Sequence, residues 1–236
     1  TTSVAMMKVM EERGIHADVA AGLSLGEYCA LVAAGVMTAD DAIRTVRERG
    51  ILMQEAVPAG VGGMSAVLGM TADEINAVVD EIPNVQVANY NCPGQIVISG
   101  LKEAVETAAV KLKEAGARRV IPLNVSGPFH SYLLEGAGEK LGRFLENIPV
   151  SEPKIPYVAN VTAAYVTKAE DVKPLLTRQV SSSVRWQQSV ETMLADGVDR
   201  FIEIGPGKTL AGFIRKINRE ATVINIEKFE DLEKLN

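Results

Sequence analysis

Apolar residues recur at helical spacing from the first residues of the chain, at Val4, Met7 and Met10, which predicts an opening helix. Asp18–Ala21 reads as a short strand that ends in a tight turn at Gly22. Residues 27–34 follow as a helix stopped by Gly35, where a left-handed cap is expected. Thr38 stands three residues before Asp41, the spacing of a capping box. It opens a helix from Ala39 towards Ala56, which Pro58 and the glycines at 60, 62 and 63 break. On that helix, positions 42, 46, 49 and 53 form one stripe: Ala42, Val46, Arg49 and Met53. A guanidinium therefore lies in the middle of an apolar face, while Arg44 and Arg47 point away from it.

The pattern changes between about Gly60 and Ser126. A strand over 63–68, a helix over 73–79 capped by Thr71, and strands over 85–90 and 95–99 joined across Asn91–Gly94 come first. A helix over 102–115 and a strand over 119–125 complete the series. The order β-α-β-β-α-β is that of a ferredoxin-like unit. It predicts a small subdomain, residues 60–126, inserted into a large one formed by 1–59 and 127–236. In the last third, a helix over 133–146, a strand over 155–161 and helices over 175–180 and 184–196 lead to a strand over 200–204. Gly205-Pro206-Gly207 turns that strand into a helix over 208–217, and a strand over 221–226 closes the pattern. Strands alternating with helices make the fold class α/β, with a mainly parallel sheet in the large subdomain.

Composition then excludes function classes. The 236 residues are 47% hydrophobic and 23% charged, the balance of a globular chain. No apolar run is long enough to span a membrane. A net charge of −6 argues against nucleic acid as the main partner. Cys29 and Cys92 lack metal-site spacing and are too few for a disulfide framework, so a cytoplasmic location is expected.

The sharpest chemical signal is Gly22-Leu23-Ser24-Leu25-Gly26, set between a predicted strand and a predicted helix. In a nucleophile elbow the serine sits on a strained turn, the glycines leave room where backbones crowd, and the next N–H groups face a developing oxyanion. A serine needs a base, and the chain holds two histidines, His16 and His130. His16 precedes the strand that carries the serine to the far end of the sheet, so it reads as a surface loop residue and His130 as the base. The group that orients His130 stays open: an acid or a backbone carbonyl would serve. Arg49 is costly to bury without an anion, and its spacing is equally compatible with an internal salt bridge and with a bidentate grip on a substrate carboxylate. Gly207-Lys208-Thr209 is similar to the end of a phosphate-binding loop, but Ile202 stands where that loop needs its first glycine.

Taken together, Gly22–Tyr28, Arg47–Gly50, Met53–Pro58, Gly127–His130, Asn160-Val161, Arg178-Gln179, Val184–Trp186 and Glu203–Gly207 resemble the malonyl-CoA:acyl carrier protein transacylases of bacterial fatty-acid synthesis. These segments span nearly the whole chain in family order. The resemblance implies an α/β-hydrolase-like large subdomain and a ferredoxin-like small one. It assigns Ser24 as nucleophile, His130 as base, the Gln179 main-chain carbonyl as the group orienting His130, and Leu25 N–H as an oxyanion donor. Arg49 becomes the clamp for the malonyl carboxylate, Phe129 a wall that crowds branched malonyl groups, and Asn160 a substrate-site residue. It further implies malonyl transfer from malonyl-CoA to the phosphopantetheine thiol of acyl carrier protein through a malonyl-serine, by a monomer without metal or redox cofactor.

Two departures from the family pattern stand out. Leu23 occupies a position that is often histidine. The family also has an N-terminal strand and a Gly-Gln-Gly turn whose glutamine lines the oxyanion hole, whereas 23 residues precede Ser24 here. The sequence thus leaves three alternatives standing: a serine thioesterase, an N-terminally shortened fragment that only binds carrier protein, and an acyltransferase domain cut from a larger synthase.

Overall fold

The computed structural model describes residues 1–235. Helix α1 (Thr2–Glu12) leads to strand β1 (Ala20–Ala21), helix α2 (Gly26–Ala33) and the long helix α3 (Ala39–Glu55). Thr38 Oγ1 accepts the Asp41 N–H at 3.1 Å and caps α3 as its spacing predicts. The stripe of α3 is buried at Ala42, Arg49 and Met53.

Next come β2 (Gly62–Leu68), α4 (Ala72–Val79), β3 (Val85–Cys92), β4 (Gln95–Leu101), α5 (Lys102–Glu114) and β5 (Arg119–Pro122). The four strands form an antiparallel sheet in the order β3-β4-β2-β5. That is the ferredoxin-like order, with the first and third strands of the segment central. Thr71 and Glu74 close a full capping box on α4. One face of the sheet packs against α4 and α5 around Val67, Ile75, Ile98, Val105 and Leu112.

The chain continues through α6 (Glu135–Glu146), β6 (Tyr157–Val158), β7 (Tyr165–Val166), α7 (Ala169–Gln179), α8 (Trp186–Ala195), β8 (Arg200–Ile204), α9 (Thr209–Ile217) and β9 (Thr222–Ile226). The parallel strands occur as two separate pairs, β1 with β6 and β8 with β9, and β7 adds an antiparallel edge to β6. The predicted strand over 155–161 is shorter than expected because the chain turns back after Val158, with Ala163 N–H bonding to Ala159 O at 2.9 Å. The predicted helix over 175–180 instead begins at Ala169, with Pro174 inside it. Proline deprives only the carbonyl four residues earlier, and that residue, Glu170, is exposed to water.

A large apolar cluster beneath the elbow joins Tyr28 and Leu31 of α2 to Leu141 and Leu145 of α6, to Tyr157 of β6 and to Leu176 of α7. It fixes α2, and with it the turn that carries Ser24. Among the described residues no helix is long and apolar enough to cross a membrane.

Candidate active site

Ser24 sits between β1 and α2 with φ of 52°, in the left-handed region. A non-glycine residue is held there at a cost of about 1–3 kcal/mol, which the surroundings must offset. Gly22 makes the turn possible: a Cβ there would lie 2.1 Å from the Gly26 carbonyl. Gly26 is different, since a Cβ would meet nothing within 4 Å. The expectation that both glycines relieve crowding therefore holds for Gly22 alone. Asn160 locks the turn from the side, its Oδ1 accepting the Ser24 N–H at 2.6 Å and its Nδ2 donating to Gly22 O at 2.7 Å.

Ser24 Oγ and His130 Nε2 are 2.8 Å apart. His130 Nδ1 lies 2.9 Å from the Gln179 carbonyl, which can only accept, so Nδ1 carries the proton and Nε2 faces the serine hydroxyl as an acceptor. Burial, and next the charge of Arg49, lower the His130 pKa to about 4. The imidazole is thus neutral at physiological pH. His16 lies exposed on the loop before β1.

Arg49 reaches the site from the buried stripe of α3, 5% exposed. Its Nη2 donates to Ser24 Oγ at 2.9 Å and to Gln179 Oε1 at 3.1 Å, and the guanidinium stands 5.8 Å over the Tyr28 ring. Its Nε–H is buried without a partner. Among the described residues no carboxylate comes within ion-pair distance of it; the nearest relation is indirect. Gln179 Nε2 donates to Glu27 Oε2 at 2.7 Å and to Ser24 O at 3.0 Å, which turns its Oε1 towards Arg49. Glu27 is fully buried and also accepts the Asn160 N–H at 3.2 Å. Burial raises its pKa to about 7, against the opposing hydrogen bond from Gln179.

Two of these roles escape the sequence. The Gln179 side chain, beyond its carbonyl, bridges the arginine to the elbow. Glu27 is a buried acid whose hydrogen-bond partner lies 152 residues away in the chain; an acid in the first turn of the elbow helix is its only signal. Asn160, expected at the substrate, uses its Oδ1 on the Ser24 N–H and its Nδ2 on Gly22 O, which places its amide against the elbow. The Ser24, Gly26 and Glu27 N–H groups are likewise occupied. Leu25 N–H, directly after Ser24, has no acceptor among the described residues.

A cavity of about 370 Å³ opens above Ser24, Arg49 and His130. Met53 of α3, Met64 of β2, Val97 of β4 and Phe129 form its apolar walls. The lining thus joins one charged side chain, Arg49, and the polar Ser24, Asn89 and His130 to a mostly apolar surface. This arrangement suits an acyl group with a polar end carried on a long arm. Among the described residues no group of three or more His, Cys, Asp or Glu side chains is placed to hold a metal ion.

Comparison with known proteins bears on this geometry. Residues 1–229 match the family model described as an acyl transferase domain. A malonyl CoA-acyl carrier protein transacylase of Bacillus subtilis is 48% identical over 99% of this chain and 75% of its own length. Among solved structures, an acyl carrier protein S-malonyltransferase from Vibrio cholerae superposes with a TM-score of 0.97 at 41% identity, covering 100% of this chain and 78% of that one. A malonyl-transacylase solved in complex with its type II PKS acyl-carrier protein gives 0.96 at 41% identity, over 99% of this chain and 77% of that one.

Proposed function

The chain belongs to the acyl transferase domain family, and from that premise we propose that Ser24, His130 and Arg49 carry out its reaction. That reaction is transfer of the malonyl group from malonyl-CoA to acyl carrier protein. His130 Nε2 takes the Ser24 proton while Oγ forms a bond to the thioester carbonyl carbon. As the carbon–sulfur bond breaks, His130 returns that proton to the departing thiolate of coenzyme A, leaving a malonyl-serine. In the second half, the phosphopantetheine thiol gives its proton to His130 and its sulfur bonds to the acyl carbon. The serine then leaves and recovers a proton. Leu25 N–H donates to the oxyanion in both halves.

The observation that carries this reading is Arg49: a buried guanidinium, 2.9 Å from Ser24 Oγ, with no carboxylate at ion-pair distance among the described residues and an unused Nε–H. A malonyl carboxylate supplies the missing anion. It also offsets the Arg49 charge, which after burial is the second cause lowering the His130 pKa, so that part of the depression is relieved when the correct substrate is bound. Phe129 at the cavity wall crowds an α-methyl group, a discrimination of about 1–3 kcal/mol.

Residues 60–126 act as an inserted subdomain over the site, a division supported by their closed sheet order and separate core. Every reacting group comes from one chain, so the reaction as proposed needs no second copy and a monomer suffices. The transfer as proposed uses only side-chain and backbone groups of the protein, and needs no metal or redox cofactor. A cytoplasmic location accords with that chemistry.

Replacing Arg49 with Ala tests the clamp. Malonyl transfer should fall at least about 100-fold, from losing charge-assisted hydrogen bonds of about 1.5–3 kcal/mol each. Acetyl transfer should fall far less. Equal losses with malonyl-CoA and acetyl-CoA would overturn the assignment.

A further inference from the structure

His130 is held in a backbone conformation that histidine seldom adopts, with φ of 56°. Its loop, residues 127–132, has no regular secondary structure up to Ser131. Two hydrogen bonds from outside the loop meet its backbone around the histidine, and both come from one side chain. Gln86 Nε2 donates to His130 O at 3.3 Å, and Gln86 Oε1 accepts the Tyr132 N–H at 3.0 Å. The amide thereby pairs with the loop as a neighbouring strand would, gripping the peptide units on either side of Ser131. Within the loop, Ser131 Oγ donates to Pro128 O at 2.6 Å and closes the turn.

Gln86 belongs to β3, the edge strand of the antiparallel sheet, whereas His130 lies in the loop leading to α6. The same strand holds the other support of the imidazole. Ser183 Oγ donates to Val87 O at 2.6 Å, Val184 N–H to Ala88 O at 2.8 Å, and Tyr90 N–H to Val184 O at 2.9 Å. These contacts anchor the chain four residues after Gln179, whose carbonyl faces His130 Nδ1. Both the backbone of the histidine and the acceptor for its ring N–H are therefore referred to one strand.

We infer that Gln86 is a positioning residue for the catalytic base: its amide holds the His130 peptide in the left-handed conformation that aims Nε2 at Ser24. The inference rests on the reading of His130 as the base. Removing the amide leaves the strained peptide free to relax, which moves Nε2 off the serine without altering the cavity walls that bind the acyl group.

The test compares Gln86→Ala in the wild-type and His130→Ala backgrounds, following kcat and KM for malonyl transfer. Loss of two hydrogen bonds at a strained peptide predicts a kcat roughly 10-fold lower or more, with KM within about twofold. In the His130→Ala background the same change should cost nothing further, because there is no imidazole left to aim. Tyr132→Phe is the control for the junction: it removes the Tyr132 Oη hydrogen bond to Asn84 Oδ1, leaves the Gln86 contacts in place, and should keep kcat. If Gln86→Ala does not fold, Gln86→Glu keeps the acceptor for Tyr132 N–H, lacks the donor to His130 O, and enters the same comparison. An unchanged kcat, an equal loss in both backgrounds, or an equal loss in Tyr132→Phe would overturn the inference. Full activity of His130→Ala alone would instead overturn the reading of His130 as base.

Discussion

Glu27 and His130 are buried ionisable groups whose burial acts in opposite directions on the pH dependence of stability. His130 has its pKa lowered from 6.5 to about 4. Between those values the unfolded chain binds a proton that the native site refuses, so this contribution to stability rises with pH. Glu27 has its pKa raised from 4.5 to about 7. Over that interval the native site keeps a proton that the unfolded chain releases, so this contribution falls as pH rises. Each slope is at most about 1.4 kcal/mol per pH unit, and from pH 4.5 to 6.5 the two oppose each other. Substitution should separate them. Relative to wild type, the urea midpoint of Glu27→Gln should climb with pH over that range, and that of His130→Gln should decline. Parallel curves for all three proteins would contradict these protonation states.

The residues themselves differ in how legible they are. Ser24 shows because its neighbours in sequence make the elbow, and His130 because the alternative histidine precedes the wrong end of the strand. Arg49 shows because a charge on an apolar stripe is conspicuous. Glu27 and the Gln179 side chain stay hidden, since each acquires its role from a partner on a distant element.

At the level of elements, the two glycines on either side of Ser24, Gly22 and Gly26, carry different demands. Gly22→Ala places a Cβ against the Gly26 carbonyl and should open the turn, lowering the thermal midpoint by several degrees and abolishing acylation of Ser24. Gly26→Ala puts a better helix former at the start of α2 with open space around it, so its midpoint should equal or exceed that of wild type. A tolerated Gly22→Ala would mean that the elbow is looser than its geometry implies.

Element boundaries follow how much local chemistry marks them. Caps at Thr38 and Thr71 announce α3 and α4 within a residue. Strands β1, β6 and β7 are two residues each, too short for any alternation to register, and are defined by their partners. The Gly207-Lys208-Thr209 segment shows the converse. Glu203 carboxylate oxygens accept the Leu210 and Ala211 N–H groups at the start of α9, at 3.0 and 2.9 Å. The place where a phosphate would sit in a phosphate-binding loop is taken by a side chain of the protein.

Across the whole molecule, the site is a seam. Ser24 and Arg49 stand on the α2–α3 side, while Met64 and Val97 close the cavity from the antiparallel sheet. The ferredoxin-like segment is legible because its hydrophobic period switches between strand and helix several times within one short stretch. The packing of its sheet over the elbow is not, because a few contacts between distant segments set it, among them those of Gln86 and Ser183. The net charge of −6 is no obstacle to an anionic substrate, since one buried arginine faces the cavity.

On the proposed reading this chain assembles a nucleophile, its base and a carboxylate clamp around one serine. The intact mass of the folded protein after brief incubation with malonyl-CoA tests it most directly, beside a Ser24→Ala control. One malonyl adduct is expected on the wild-type chain and none on the variant. An adduct on Ser24→Ala, or a folded wild-type chain that takes up no malonyl group, would contradict it.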